Sequence, residues 1–367
     1  MSGSSTAGPL AVTGIGMVTP VGADAMGSAL AIQAGISRLA ALDEFPPQAY
    51  WDRGGEELQA TGAAARDMTS GLIGVNRLVT LATPALMEAM GQAQINVDGT
   101  GITLLQAIPS AKRPQRDDRI EELFSRRLER RCGLAMGQLN CRFVDEGHAG
   151  IVAALRLAAD LLTQDRTQQV VIGGVDSLVE PATLHWLEEM GRLKAGKRVD
   201  GFCPGEAAGY LVVEPAEQAK RQGKTILAFL SGFALATEPN TIWSKRPSVG
   251  KGLVEAIRQT IGPLREKGGG IRVVIGDLNG ERYRALEWSY AEIRAFAGFD
   301  VERKVWHPAD CIGDTGSASG AVSLIYGIAS MLAGLPDSEM MLVFSSADDG
   351  QRGSVLVLNQ APASFAA

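Results

Sequence analysis

Apolar and polar positions along this chain follow two different periods. Short continuous apolar runs read as buried strands, and stretches with apolar residues at i, i+3 and i+4 read as amphipathic helices. The first run, Leu10–Thr13, leads into a glycine-punctuated segment that reaches Gly22. A helix follows from about Ala25 to Ala34 and stops at Gly35, a residue suited to a C-cap. Further β-like runs lie at Ile102–Ile108, Gln169–Ile172, Tyr210–Val213, Ile226–Phe233, Ile271–Ile275, Met341–Phe344 and Val355–Leu358. Helical periodicity marks Leu78–Met90, Ile151–Leu162, Gly252–Ile261, Tyr283–Phe296 and Ala321–Ala333. Strands alternating with helices predict an α/β protein whose parallel or mixed sheet is covered on both faces.

The segment Lys112–Arg131 breaks this pattern with seven arginines among acidic residues. Ile120, Phe124 and Leu128 recur there at i,i+4, which predicts a solvated amphipathic helix. A sharper reading makes the same surface a dock for an acidic partner. The chain breaks near Glu214-Pro215 into halves of 1–215 and 216–367, the second opening with a helix at Ala216–Gly223.

Composition narrows the class. A chain of 367 residues, 46% hydrophobic and 21% charged, is an ordinary globular protein rather than a disordered or fibrous one. The net charge of −6 argues against nucleic acid as the main partner. Cys132, Cys141, Cys203 and Cys311 show no CxxC pair, so reduced thiols are expected rather than disulfides or a zinc site. Met1 opens a Ser/Gly-rich stretch without the basic and apolar regions of a signal peptide, and no apolar run reaches the roughly 18 residues of a membrane span. The expectation is a soluble, cytoplasmic protein.

Four segments occur in an informative order: Val12–Gly22 with Ala34-Gly-Ile-Ser37; Val171–Asp176; Val199–Gly209 running into Leu211–Glu214; and Gly313–Ala321. Together they resemble β-ketoacyl synthases of the thiolase superfamily over nearly the whole chain. The resemblance implies a thiolase fold, a five-layered α-β-α-β-α arrangement of two related halves, usually assembled as a homodimer or heterodimer. It also implies a Cys-His-His triad, with the thiol at a helix N-terminus where the dipole favours thiolate.

The residues at those positions differ from the family's. Ungapped alignment puts the nucleophile on His148; other registers give Gly147 or Val144, and none gives a cysteine. Asp277 stands where the first histidine is expected, and Asp314 where the second is. Ala309 and Asp310 lie near the place of the family's lysine, and the phenylalanine gate reads Ala347-Asp-Asp-Gly-Gln351, with Asp348 and Asp349. No catalytic residue and no cofactor or metal are therefore expected. If these carboxylates converge with Asp145 and Glu146, they need compensation. A divalent metal with His148 as a ligand, or a partner's basic side chain, would supply it; otherwise the aspartates cap turns. His185 reads as structural, His307 as a surface residue, and Glu281, Arg284 and Glu287 as a solvated ion-paired face.

The expected function is a non-catalytic accessory protein that binds other proteins. One partner class is a type VI secretion effector, for which the chain would be an adaptor. The other is a ketosynthase or acyl-carrier protein, which the chain would join as a cysteine-less chain-length-factor-like subunit. An acyltransferase-type enzyme with altered chemistry on His148 is the alternative of a different class.

Overall fold

The computed structural model describes residues 8–43, 60–95, 101–114, 116–164, 166–195, 198–265, 270–299 and 301–361. The Ser/Gly-rich start, residues 1–7, lies outside them. The strands are β1 (Leu10–Val18), β2 (Ala40–Ala41), β3 (Thr61–Gly62), β4 (Ile102–Ala107), β5 (Leu139–Val144) and β6 (Val170–Ser177). They continue with β7 (Glu206–Pro215), β8 (Ala228–Thr237), β9 (Val273–Gly276), β10 (Lys304–Trp306), β11 (Met340–Ser346) and β12 (Gln351–Leu358). The helices are α1 (Ala25–Gln33), α2 (Arg66–Thr69), α3 (Gly74–Gln92), α4 (Ile120–Cys132), α5 (Gly150–Thr163) and α6 (Pro181–Glu189). After them come α7 (Ala216–Arg221), α8 (Lys251–Arg265), α9 (Arg282–Ala295), α10 (Ala309–Ile312) and α11 (Ser319–Leu332).

Ten strands form one mixed sheet in the order β10-β9-β11-β12-β8-β1-β7-β6-β4-β5. Read inward from either outer edge, each block of five has its strands in the same chain order: third, second, fourth, fifth, first. The blocks meet where Leu10–Val12 of β1 pairs antiparallel with Ala228–Leu230 of β8. The connections from β4 to β5 and from β9 to β10 pass through helices and give parallel pairs, as crossover connections must.

Three apolar cores separate the layers. The central one holds α1, α5 and α11 between the two blocks, with Ile172 and Leu211 on one side and Ile275, Val343 and Val355 on the other. A second core packs α3 and α4 on the outer face of the first block. The third packs α8 and α9 on the outer face of the second. The result is the expected α-β-α-β-α stack. Helix α11 is buried along nearly its whole length, which is why its sequence is almost continuously apolar rather than amphipathic.

The glycines at the start of the chain sit inside β1, which runs on through them instead of ending at Thr13. A Cβ on Gly16 would lie 2.0 Å from the Ala85 carbonyl oxygen, and one on Gly14 2.2 Å from that of Ala89. Glycine lets α3 lie directly on the strand. Of the arginine-rich segment, α4 is helical and buries Ile120, Phe124 and Leu128 against α3. Arg113 lies before that helix and turns inward, toward the cavity described next.

Candidate functional site

The loops that follow the parallel strands β4, β5, β6 and β11 line a cavity of ≈ 310 Å³. This is where open α/β sheets place ligands, because helix starts and loop side chains converge there. Leu178, Trp186, Leu187, Phe202 and Trp243 give the cavity an apolar stretch of wall, with Arg192 stacked over the Phe202 and Trp243 rings. Lys112, Arg113, His148, Asp176, Asp314, Asp348 and Asp349 add polar lining. No cysteine lines it among the described residues.

His148 stands in a single 3₁₀ turn, Gly147–Ala149, that leads from β5 into α5, and Gly147 takes a left-handed φ of 48° to make the corner. The His148 Nε2 lies 2.8 Å from Asp314 Oδ1. The Gly316 N–H also donates to that oxygen at 2.8 Å, and Asn279 Nδ2 donates to Asp314 Oδ2 at 2.7 Å. Asp277, at the end of β9, lies behind the cavity wall. Its Oδ2 accepts from Arg284 Nη1 at 3.0 Å and from the Ser346 N–H at 2.7 Å. Asp348 accepts from Arg192 at 2.6 Å and from Arg284 at 3.2 Å. Glu281 holds the other edge of Arg192 at 2.7 and 2.8 Å.

Asp277, Asp314 and Asp348, read from the sequence as standing at the family's histidine and gate positions, thus converge. Compensation from inside the chain comes through Arg192 and Arg284, a source the sequence reading did not consider. The solvated-face reading of Glu281, Arg284 and Glu287 is overturned. All three are buried, Arg284 in this network and Glu287 against Arg352 at 2.9 Å. Helical spacing cannot distinguish a charged stripe facing water from one facing an ionised interior.

The electrostatics follow from burial and pairing. Burial by itself would raise the Asp314 carboxyl, but His148 and Arg284 outweigh it and hold the group far below the usual range. The same balance takes Asp348 down to about 2, with Arg192 and Arg284 prevailing over desolvation. Burial works against charge on His148, yet Asp314 prevails and raises its pKa. The site is therefore a His148–Asp314 pair, shifted toward its charged form, beside two arginines, each pinned by carboxylates. Asp277 Oδ1 has no hydrogen-bond partner among the described residues.

Other candidates scatter. Asp349 pairs with Lys112 at 3.2 Å on the cavity rim, and Asp145 accepts from the Ala111 N–H at 3.0 Å. Glu146 is half-buried nearby, and burial raises its carboxyl. Val144 is in the core at the end of β5. Asp310 does not join the cluster; it is exposed and pairs with His307 at 2.7 Å. His185 lies 3.3 Å from Glu189 on α6. Ser345 and Ser346 are buried. Burial pushes the Cys141 thiol up to about 12 and that of Cys132 to about 11, the reverse of what a thiolate nucleophile needs. Sequence reasoning missed Arg192 altogether. It also missed the Arg113–Asp176 pair at 2.6 and 2.8 Å, although Asp176 closes a segment that carried the family resemblance.

Comparison with known proteins agrees with this fold. The model of the β-ketoacyl synthase N-terminal domain matches residues 149–219. Among solved structures, a chain from a type II polyketide synthase ketosynthase in complex with its acyl-carrier protein superposes with a TM-score of 0.76 at 15% identity. It covers 97% of this chain and 100% of that one. The ketosynthase from module 6 of the bacillaene synthase of Bacillus subtilis 168 gives 0.77 at 13% identity, over 96% and 72%. The fold is the thiolase fold of ketosynthases, and in sequence the chain is ketosynthase-like. Among curated relatives, the ketoacyl synthase beta subunit of the tetracenomycin polyketide synthase of Streptomyces glaucescens is 26% identical over 327 residues. That match spans 79% of this chain and 78% of the subunit. Pikromycin synthase components PikAII and PikAIII of Streptomyces venezuelae are both 28% identical over 59% of this chain, which spans only 6% and 15% of their lengths. No helix among the described residues is long and apolar enough to cross a membrane.

Proposed function

We propose that this chain is a non-condensing, chain-length-factor-like subunit that pairs with an active ketosynthase in polyketide assembly. The observation that carries the reading is the ionised network across the cavity. A condensing site needs a thiolate and neutral imidazoles that stabilise developing negative charge. The corresponding space here is lined by Asp314 and Asp348, with Asp277 behind its wall, and their charges would repel an enolate or oxyanion. The cations beside them are already engaged, and among the described residues His148 is the one histidine at the cavity. The extended likeness to a ketoacyl synthase beta subunit supports the same reading.

The cavity keeps an apolar wall, so it retains the shape to contact an acyl chain presented by the paired subunit. The test is to purify the tagged protein from its native host, identify what accompanies it, and assay malonyl-thioester condensation with and without the recovered partner. The expected outcome is stoichiometric recovery of a ketosynthase, no condensation by this chain alone, and chain elongation by the pair. Condensation by the isolated chain that His148→Ala abolishes would overturn the proposal. Recovery of secretion-spike or effector proteins in place of a ketosynthase would return the adaptor reading to first place.

A further inference from the structure

Helix α9 buries Trp288, Ala291 and Ala295 in the outer core of the second half, yet it also carries apolar residues on the opposite side. Leu286, Tyr290 and Ile293, spaced i, i+4 and i+7, share one outward face and are 39%, 39% and 74% exposed. Val199, 89% exposed, lies beside the start of the helix, because Asp200 accepts the Arg282 N–H at 2.9 Å and ties that loop to α9. Single exposed apolar residues are ordinary, whereas a row of them along one helix marks a contact surface.

The rim of this row is positive. Arg294 stacks 5.1 Å over the Tyr290 ring and donates to the Val249 carbonyl, and Arg258 of α8 donates to the Arg294 carbonyl. Arg282 is exposed at the other end. None of the three forms an ion pair among the described residues. Asp200 is engaged with the helix start, and Glu292 is half-buried.

We propose that the outer face of α9 docks an amphipathic helix of a protein partner, its apolar stripe flanked by Asp and Glu. Such a helix covers Leu286, Tyr290 and Ile293 and supplies the carboxylates that Arg258, Arg282 and Arg294 lack. A second copy of this chain presenting the same face would instead set three arginines against three, which disfavours self-association there. The surface belongs to the outer helical layer and does not involve the cavity, so it stands or falls apart from the function proposed above.

The test uses the full chain and two fluorescein-labelled peptides of about 18 residues, long enough for five helical turns. Both carry the same leucine stripe, one flanked by Glu and the other by Lys, and binding is read by anisotropy. The Glu-flanked peptide should bind saturably and at least about tenfold more tightly than the Lys-flanked one. Tyr290→Ser with Ile293→Ser should weaken it by about tenfold or more. Arg258→Glu with Arg294→Glu should remove the preference for acid, with circular dichroism unchanged in both variants. Equal binding of the two peptides, or binding indifferent to these substitutions, would overturn the proposal. So would a dimer in sedimentation that Ile293→Ser dissociates, since a second copy would then occupy the face.

Discussion

At the scale of single residues, the site rests on charges that cannot be removed one at a time. Arg284 is buried and faces Asp277, Asp348 and Glu281. Arg284→Met should cost about 3–5 kcal/mol in urea denaturation, because it leaves carboxylates buried without a counterion. Adding Asp277→Asn should recover part of that loss; strict additivity would mean the two groups do not interact. The pH dependence has a definite sign at each end. His148 has a raised pKa, so its pairing with Asp314 stabilises fully below about pH 6.5 and fades as pH rises through the raised value. Asp348 is lowered to about 2, so its contribution is complete above about pH 4 and lost as pH falls toward 2. His148→Gln should flatten the alkaline decline of stability and leave the acid limb in place. An unchanged alkaline slope would mean that the imidazole is neutral in the fold. Asp277, Asp314 and Asp348 were legible as candidate positions because the segments around them resemble the family's motifs. Their arginine partners were not, since nothing near Arg192 in sequence announces a carboxylate partner.

Elements were more legible than pairings. The i,i+4 stripe in α4 is the buried stripe of a helix that ends at Gly133, whose φ of 69° is left-handed. Gly133→Ala should cost about 1–2 kcal/mol by thermal or urea melting, because a Cβ is strained in that conformation. A neutral result would mean that the cap relaxes to a right-handed turn. Strand boundaries were read short where polar or glycine residues continue a strand buried on both faces, as in β1 and in β6, which runs to Ser177. The three-residue β10 escaped notice because Lys304, Val305 and Trp306 show too little of a period to register.

At the scale of the whole molecule, the central layer is shared. Helix α5 comes from the first half and α11 from the second, and both face the two sheet blocks in one core. Residues 1–215 and 216–367 expressed separately should therefore fail to give cooperative unfolding transitions, each lacking one of those helices. Two independently folded fragments would show that each half completes its own core. The sequence by itself determined the alternation of strands and helices and the thiolase-like class, because periodicity and motif order are local and survive substitution at the reacting positions. It also led to the expectation that acidic residues stand where the family carries histidines. Only the tertiary structure decided what those acids do. Arg192 from the first half and Arg284 from the second meet at Asp348, and the low dielectric of a buried cavity makes that meeting the arrangement that leaves the charges compensated.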